Sequence, residues 1–239
     1  MSNATISSYL ERGAVSPRHG EFLRSTRLRQ LRIVIAQVLV LVGDHIAITV
    51  AETRAGFVIG TVVGVAIAGM FWWWSFLSNV AVPYVVVLNA TPKMALGPVF
   101  IIWLGASMSA VIALAVSISL FVTILSVHSA FQQADRDKLL LVTSFGASKW
   151  QQFSKVVFPA AVPTIISTLK VNIGLSLIGA IVGEFLAARA GLGYLIIYGQ
   201  NIFSMSLVMT SVVILTVIAG VMYFAVSWAE RYFVPWKRE

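Results

Sequence analysis

The sequence predicts an all-α, polytopic membrane protein, and its composition and its apolar runs support this fold class. Of its 239 residues, 59% are hydrophobic and only 11% are charged, whereas an ordinary globular domain has about 45–50% apolar and about 25% charged residues. The mean hydropathy is +0.90. Apolar runs long enough to cross a bilayer, which takes about 20 residues per helix, recur along the chain. Little length therefore remains for a separate soluble domain.

Five apolar segments are convincing spans, and one segment before them is short. This first segment, Ile33 to Gly43, ends just before Asp44 and His45. A helix there would be about 16 Å long, roughly half of the 30 Å hydrocarbon core. The five full-length candidates contain few charges: Ile46–Trp74, Pro83–Gly105, Met108–His128, Val162–Leu186 and Ser206–Trp228. The chain thus divides into a basic segment, residues 1–32, and a transmembrane domain, residues 33–239.

Charged residues predict the direction of these spans. Six of the seventeen Lys and Arg residues lie between Arg12 and Arg32, and three more lie near the other terminus. The link from Gln132 to Lys155 contains four further basic residues. Basic residues beside spans mark the cytoplasmic side, so both termini and this link are predicted to be cytoplasmic. Residues 187–204, whose only charge is Arg189, are predicted to face outward. The predicted number of crossings is therefore even.

The composition also excludes several classes of function. The net charge of +8 comes from clusters beside spans, without the aromatic-interleaved basic face of a nucleic-acid-binding protein. The chain has no cysteine, and its three histidines are isolated, so neither a disulfide nor a metal site is expected. No Walker A motif occurs, so the chain alone cannot hydrolyse ATP. No nucleophile and base are clustered as in an enzyme active site.

A short amphipathic helix is predicted within the basic link, over residues 147–157. Gly146 relaxes the backbone before it, and Pro159 and Pro163 disfavour its continuation. Its apolar residues recur every three or four positions, which is the helical spacing: Trp150, Phe153, Val156 and Val157. Periodicity alone leaves two interpretations open. The helix either lies on the lipid surface or fits a groove in a partner protein.

The link resembles the EAA loop of ABC importer permeases in Gly146-Ala147, Phe153, Val156, Phe158-Pro159 and Pro163. Four further stretches resemble, in order, the branch of that family that serves nitrate, sulfonate, taurine, bicarbonate and pyrimidine precursors. They are Thr53-Arg54-Ala55-Gly56-Phe57, Thr91–Pro98 followed by Ile102–Gly105, Gly183-Glu184-Phe185, and Gly191-Leu192-Gly193-Tyr194. From Asp44 onward the chain is therefore identified as a member of this family, with the type I ABC importer permease fold.

The resemblance implies that residues 132–160 hold a cytoplasmic coupling helix that docks into a cleft of an ATPase subunit. It assigns this contact to Asp137, Gly146, Ala147, Trp150, Phe153, Val156 and Pro159. One departure concerns the residues for which the loop is named. Where the family has Glu-Ala-Ala, this chain has Leu140-Leu141-Val142. A glutamate-mediated contact to the ATPase is therefore absent or is supplied by Asp137.

The function that the resemblance implies is that of the permease subunit of an ATP-driven importer, which forms the pathway for a small solute. The expected partners are a second copy of the chain, two ATPase subunits and a substrate-binding protein, in the inner membrane of a bacterial cell. ATP and Mg²⁺ would be bound by the ATPase, and this chain would bind no cofactor. The alternative is a self-sufficient secondary transporter. Such transporters often contain inverted repeats, and no convincing repeat is visible here.

Ionisable residues within a span are candidates for the transport pathway. Lys170 and Glu184 lie in one predicted span, near its ends, and are about 21 Å apart along a helix. They cannot pair within that helix. The resemblance adds Arg54 as a pathway candidate and places Gly191, Gly193 and Tyr194 in a turn that belongs to the outer gate.

Two further patterns concern packing. The aromatic run at residues 71–74 is typical of the belt at a membrane interface. Glycines recur every four residues at Gly56, Gly60 and Gly64, and again at Gly179 and Gly183. Such spacing allows helices to approach backbone to backbone.

Overall fold

The structure, a computed structural model, describes residues 17–233, with side chains from residue 42 to residue 228. This part of the chain is helical and contains no β-strand. A 3₁₀ turn, Lys93–Leu96, precedes the third helix, and a π-helical segment, Phe153–Val157, joins the sixth to the seventh. The helices are α1 (Pro17–Trp73), α2 (Ser75–Ala90), α3 (Gly97–Leu104), α4 (Met108–Gln132), α5 (Arg136–Ser144), α6 (Lys149–Gln152), α7 (Phe158–Ala187), α8 (Leu192–Asn201) and α9 (Met205–Phe233).

The chain divides into two units, residues 1–44 and residues 45–239. In the first unit the described part is helical backbone, from Pro17 onward. The predicted basic segment covers residues 1–32, and its first half, residues 1–16, lies outside the described residues. The predicted short first span, Ile33 to Gly43, is not a helix of its own, because its residues fall within the bounds of α1. The second unit holds every site discussed below.

Four helices in the described part are long and apolar enough to cross a membrane: Val42–Trp73, Met108–Gln132, Lys149–Ala187 and Met205–Trp228. A fifth crossing is formed if Ser75–Ala90 and Lys93–Leu104, which are bent by 89° relative to each other, count as one broken span. The prediction of a helical membrane protein is confirmed.

The candidate span from Pro83 to Gly105 is not one straight helix, because the chain breaks at Thr91-Pro92. Thr91 has extended backbone angles, φ −64° and ψ 137°, and ends α2. Proline disfavours the helical conformation of the residue before it and cannot donate a backbone hydrogen bond. The two prolines after the link act differently. Pro159 lies in the first turn of α7 and Pro163 lies within that helix.

The π-helical segment explains how the chain stays helical through Pro159. In a π-helix the hydrogen bonds run from residue i to residue i−5, and the N–H of Phe158 donates to the carbonyl of Phe153. This longer hydrogen bond changes the register by one residue immediately before Pro159, which has no N–H to donate. Lys149–Ala187 is therefore one continuous helix, rather than an amphipathic helix separated from a span that begins at Val162.

Helices α1, α4 and α7 pack at very short distances around Ala115. A Cβ atom added to Gly56 on α1 would lie 2.5 Å from the Ala115 Cβ, and one added to Gly179 on α7 would lie 2.5 Å from the Ala115 Cα. Backbone–backbone contact of this kind needs residues without side chains. The close packing predicted from the glycine spacing is confirmed at these positions.

A polar contact ties the same three helices together further along. The side-chain amide of Asn172 on α7 donates to the hydroxyls of Thr61 on α1, at 3.0 Å, and of Thr123 on α4, at 2.7 Å. Asn172 and Thr123 are fully buried. Because buried polar groups are costly unless they are hydrogen-bonded, these contacts fix the rotation of the three helices about their axes.

Candidate functional site

Residues 133–157, here named the coupling segment, connect α4 to α7. The segment begins with α5, whose N-terminus is capped by Asp135. The Asp135 carboxylate accepts hydrogen bonds from the N–H groups of Asp137, at 2.9 Å, and Lys138, at 3.3 Å. The hydrogen bonds from the Lys138 and Asp137 N–H groups lower the pKa of the Asp135 carboxyl below its usual value. An ionised carboxylate at this position suits the positive end of the helix dipole.

The turn between α5 and α6 is tightly specified by hydrogen bonds. Gly146 has φ +78°, its N–H donates to the Thr143 carbonyl, and the Ala147 N–H donates to the Val142 carbonyl. These two bonds form a Schellman motif, which favours glycine at the left-handed position. Ser148 and Gln151 then form a capping box, in which each side chain accepts from the backbone N–H of the other residue. The turn therefore has one well-defined conformation.

One side of the coupling segment packs against its own chain. The ring of Phe153 lies 5.0 Å from that of Trp72 and 5.4 Å from that of Phe131, measured between centroids. Val157 is fully buried in the same cluster, and Val156 is half-buried. The predicted apolar face of helix 147–157 is therefore largely internal. Phe153 anchors the segment to the bundle instead of projecting from it.

The other side of the segment exposes large apolar side chains. The exposed fractions are 66% for Leu140, 57% for Leu141, 82% for Phe145 and 63% for Trp150. Asp137 is also exposed, on the first turn of α5. Leu140 and Leu141 were recognisable from the sequence only as a departure from the family pattern, and Phe145 was not predicted as a site residue. The signal available was an apolar residue directly before the glycine that ends a capped helix.

The aromatic run at residues 71–74 supports the coupling segment. The ammonium group of Lys149 donates a hydrogen bond to the Trp73 carbonyl, and it lies over the rings of Trp72 and Trp73. Phe71 is buried and contacts His128 edge-on. Only Trp74, 54% exposed, has the accessibility expected of an interfacial belt residue.

At the opposite end of α7, Glu184 occupies the centre of a buried polar cluster. Its side chain is 1% exposed. One carboxylate oxygen accepts from the hydroxyl of Thr49 on α1, at 2.6 Å, and the other accepts from the N–H of Gly193, at 2.5 Å. A Cβ added to Gly193 would lie 2.8 Å from that second oxygen. Glu184 therefore contacts the Gly191 to Tyr194 turn directly.

Two side chains on α1, those of Thr49 and His45, cap the start of α8. The hydroxyl of Thr49 accepts from the Leu192 N–H, and Nδ1 of His45 accepts from the Gly191 N–H, both at 2.8 Å. Gly191 has φ +113°, a conformation that side-chain-bearing residues rarely adopt. The first N–H groups of a helix need such partners when they are buried. The cluster therefore fixes the entry of the chain into α8.

Glu52 completes this cluster and was missed as a site residue. It is 2% exposed, and its carboxyl group interacts with that of Glu184. One of its oxygens, Oε2, has no hydrogen-bond partner in the structure. The available signal was its position, since residues three and four apart share a helix face, and His45, Thr49 and Glu52 follow that spacing.

Of the remaining pathway candidates, Tyr194 lies beside the glutamate cluster, whereas Arg54 and Lys170 lie apart from it. The ring of Tyr194 stacks on that of His45, at 6.0 Å between centroids. Arg54 is exposed on α1, about 200° around the helix from Glu52, so it does not join the cluster. Lys170 is half-buried near the middle of the continuous helix Lys149–Ala187. The helix begins earlier than Val162, at Lys149, and the position of Lys170 relative to the end of the membrane-crossing part stays a prediction.

Comparison with known proteins identifies the family. The family described as the binding-protein-dependent transport system inner membrane component matches residues 60–239. A probable ABC transporter permease protein of Haemophilus influenzae is 28% identical over 81% of this chain and 79% of its own. The formylaminopyrimidine transport permease protein ThiX of Halalkalibacterium halodurans is 26% identical, over 82% and 78%. The putative aliphatic sulfonates transport permease protein SsuC of Bacillus subtilis is 26% identical, over 83% and 73%.

Solved structures show the same fold. An inward-facing structure of the MetNI methionine ABC transporter aligns with a TM-score of 0.72 at 18% identity, over 82% of this chain and 97% of that chain. A crystal structure of an amino acid ABC transporter aligns with a TM-score of 0.61 at 20% identity, over 84% and 96%. The predicted type I importer fold and the predicted family are confirmed. The chain belongs to the family of binding-protein-dependent transport system inner membrane components, and it is a multi-pass permease subunit of an ABC importer.

Proposed function

We propose that this permease couples to a separate ATPase subunit through the exposed apolar side of its coupling segment. This surface is here named the docking face. One observation carries the proposal: a turn of defined conformation holds large apolar side chains away from the bundle. The docking face consists of Leu140, Leu141, Phe145 and Trp150.

Water, rather than lipid, is the medium around the docking face. The same short helix begins with Arg136, Asp137 and Lys138, all exposed, and charged side chains of both signs are costly in hydrocarbon. Contiguous apolar side chains exposed to water mark sites of association. Burial of a Phe or Leu side chain contributes about 1.5–3 kcal/mol, so this face supplies much of a stable contact.

The departure at Leu140 and Leu141 determines the chemistry of that contact. These residues stand where the family has Glu-Ala, so a charged contact is replaced by an apolar one. Interactions between exposed charges weaken as salt is added, whereas apolar burial does not. Docking of this permease to its ATPase is therefore expected to persist in high salt, with Asp137 contributing little.

The assembly that follows places two copies of the chain around a solute pathway, with their coupling segments in the cytoplasm. A substrate-binding protein delivers the solute on the opposite side, and the ATPase subunits bind ATP and Mg²⁺. The basic residues within the coupling segment, Arg136, Lys138, Lys149 and Lys155, support this orientation. Closure of the ATPase dimer moves each docked segment as a rigid body. At the outer end, the glutamate cluster holds the turn before α8 in place as part of the gate.

Copurification with the ATPase subunit of the same transport system tests the docking face. Leu141→Ser and Phe145→Ser are expected to reduce recovery of the ATPase and solute-stimulated ATP hydrolysis together. The matched control is Phe203→Ser, because Phe203 is 95% exposed on the loop before α9, at the other end of the bundle. Phe153→Ala provides a contrast, since it is expected to lower the unfolding temperature as well as recovery. Wild-type recovery and hydrolysis in both serine variants would overturn the proposal.

A further inference from the structure

A polar cleft lies between α2 and α4, at the end of the bundle that holds the coupling segment. It comprises two adjoining cavities of about 400 Å³ and about 390 Å³. Four residues line both cavities, and the second extends beneath Trp72 towards the start of α5. The polar residues on which the inference rests are Ser75, Ser78, Asn79, His128, Gln132 and Arg136. This volume is ample for a small organic solute.

The floor of the cleft is buried and hydrogen-bonded. Ser78 is 4% exposed and His128 is 6% exposed. The Ser78 hydroxyl and the Gln132 amide nitrogen each lie 2.9 Å from Nε2 of His128. Because an amide nitrogen can only donate, Nε2 of His128 accepts this bond from Gln132. On the far side of the ring, Nδ1 is buried and has no hydrogen-bond partner in the structure.

This arrangement leaves hydrogen-bond donors for a ligand. The Gln132 amide is oriented by His128 and keeps a second N–H group free. Asn79, Gln132 and Arg136 are exposed at the rim, where they supply amide and guanidinium donors. None of the residues that line the two cavities is acidic. Asp135, the acidic neighbour of Arg136, is directed to the N–H groups of α5 and to Lys138.

We propose that this cleft is a binding site for an oxyanion, such as a sulfonate, carboxylate or phosphate group carried on a small organic body. Guanidinium and amide donors match the oxygens of such a group, and hydrogen bonds to charged groups are the stronger ones. Phe71, Trp72 and Leu139 form an apolar wall for the organic part. The ring of Trp72 also contacts Phe153, so the site adjoins the coupling segment. The proposal does not depend on docking to an ATPase.

Two sources could supply the oxyanion, namely a dissolved solute and the headgroup of an anionic lipid. The first experiment titrates the full-length chain, in nanodiscs of phosphatidylcholine, with sodium ethanesulfonate. Tryptophan fluorescence reports occupancy because Trp72 lines the cleft, and the unfolding temperature provides a second readout because bound ligand stabilises the native state. Sodium chloride at equal ionic strength and uncharged dimethyl sulfone serve as control solutes.

We expect a saturable response to ethanesulfonate and none to dimethyl sulfone. Arg136→Gln and Gln132→Leu should weaken the affinity at least about tenfold, since each removes a donor to a charged group. Both residues are exposed, so the variants should fold. Arg189→Gln, which removes an exposed cation outside the cleft, is the matched control and should bind normally.

The second experiment replaces part of the phosphatidylcholine with phosphatidylglycerol. If the occupant is an anionic lipid headgroup, phosphatidylglycerol alone will change the fluorescence of the wild type and will abolish its response to ethanesulfonate. Neither effect should occur in Arg136→Gln. That result supports the oxyanion site and assigns its source. The absence of a saturable response in both lipid mixtures, or an undiminished response in Arg136→Gln and Gln132→Leu, overturns the proposal.

Discussion

Thr49 and Glu184 are 135 residues apart in the chain, and a 2.6 Å hydrogen bond joins their side chains. The Thr49 hydroxyl also accepts from the Leu192 N–H, and Glu184 accepts from the Gly193 N–H. Two side chains from different helices thus hold the same turn. The position of α8 is set by this pair rather than by the local sequence alone.

Substitution of Thr49 by Val is expected to destabilise the turn before α8. The change keeps the side-chain volume and leaves one buried donor and one buried acceptor without partners, each at a cost of about 1–3 kcal/mol. The measurement is thermal unfolding of the purified chain, together with transport in vesicles. Thr216→Val is the control, because Thr216 is exposed and bonds only to a carbonyl of its own helix. Equal unfolding temperatures for the two variants would show that the bridge contributes nothing.

Glu184→Gln tests the carboxylate itself. The amide oxygen can still accept from Thr49, but the NH₂ group then faces the Gly193 N–H, so that one buried donor loses its acceptor. We expect lower transport and an unfolding free energy reduced by about 1–3 kcal/mol, while ATPase recovery stays unchanged. Recovery reports on the distant coupling segment, so its loss in this variant would contradict the assignment of Glu184 to the outer gate.

Gly146→Ala should separate the shape of the coupling turn from overall stability. The left-handed conformation at Gly146 costs a residue with a Cβ about 1–2 kcal/mol. Gly105 is the control, since it also has a positive φ of +75°, and a Cβ at either residue meets no atom within 4 Å. Its ψ of 170° places it in a region that is open almost only to glycine, so Gly105→Ala should lose at least as much stability in thermal unfolding as Gly146→Ala. Only Gly146→Ala should reduce ATP hydrolysis coupled to transport, and equal coupling in both would exclude a special role for this turn.

Gly179 and Gly174 form a second matched pair, within α7. A Cβ at Gly179 would lie 2.5 Å from the Ala115 backbone, whereas one at Gly174 meets no atom within 4 Å. We expect Gly179→Ala to destabilise the chain by about 1–3 kcal/mol through overpacking. Gly174→Ala should be neutral or stabilising by about 0.5–1 kcal/mol, because alanine is the better helix former. Unfolding in detergent distinguishes these outcomes, and a stabilising Gly179→Ala would refute the close approach.

The absence of native cysteine allows a direct test of orientation. Single cysteines at Asn201 and Gln133, both exposed, are treated with a membrane-impermeant thiol reagent on intact cells. We expect labelling at residue 201 without permeabilisation and at residue 133 only after it. Labelling of residue 133 in intact cells would reverse the proposed orientation.

The sequence predicted the helical class, the family and the individual turns, because these depend on local chemistry. Gly146 and the Gly191 to Tyr194 turn could be recognised since left-handed backbone conformations favour glycine. Composition likewise revealed most of the spans. Helix propensity alone could not show that the helix ends at Thr91-Pro92 but continues through Pro159. Both places contain proline, and only the π-helical segment makes them different.

Contacts between distant elements were harder to predict. Phe153 was assigned to the ATPase contact together with the rest of the apolar helix face, and the structure shows that its ring packs on Trp72 and Phe131. A 3.6-residue period shows that one face of a helix is buried, but it does not show against what. Glu52 was missed for the same reason, since its partner Glu184 lies on another helix. The buried cluster depends on how α1 and α7 align, which no local pattern specifies.

The continuity of Lys149–Ala187 gives the permease a mechanical lever. The 39 residues of this helix extend about 58 Å at 1.5 Å per residue, and its two ends carry the coupling segment and the Glu184 cluster. A tilt of about 5° over that length displaces one end by about 5 Å relative to the other. That displacement exceeds the length of a hydrogen bond, so a pivot of this size about the coupling-segment end would separate Glu184 from Thr49.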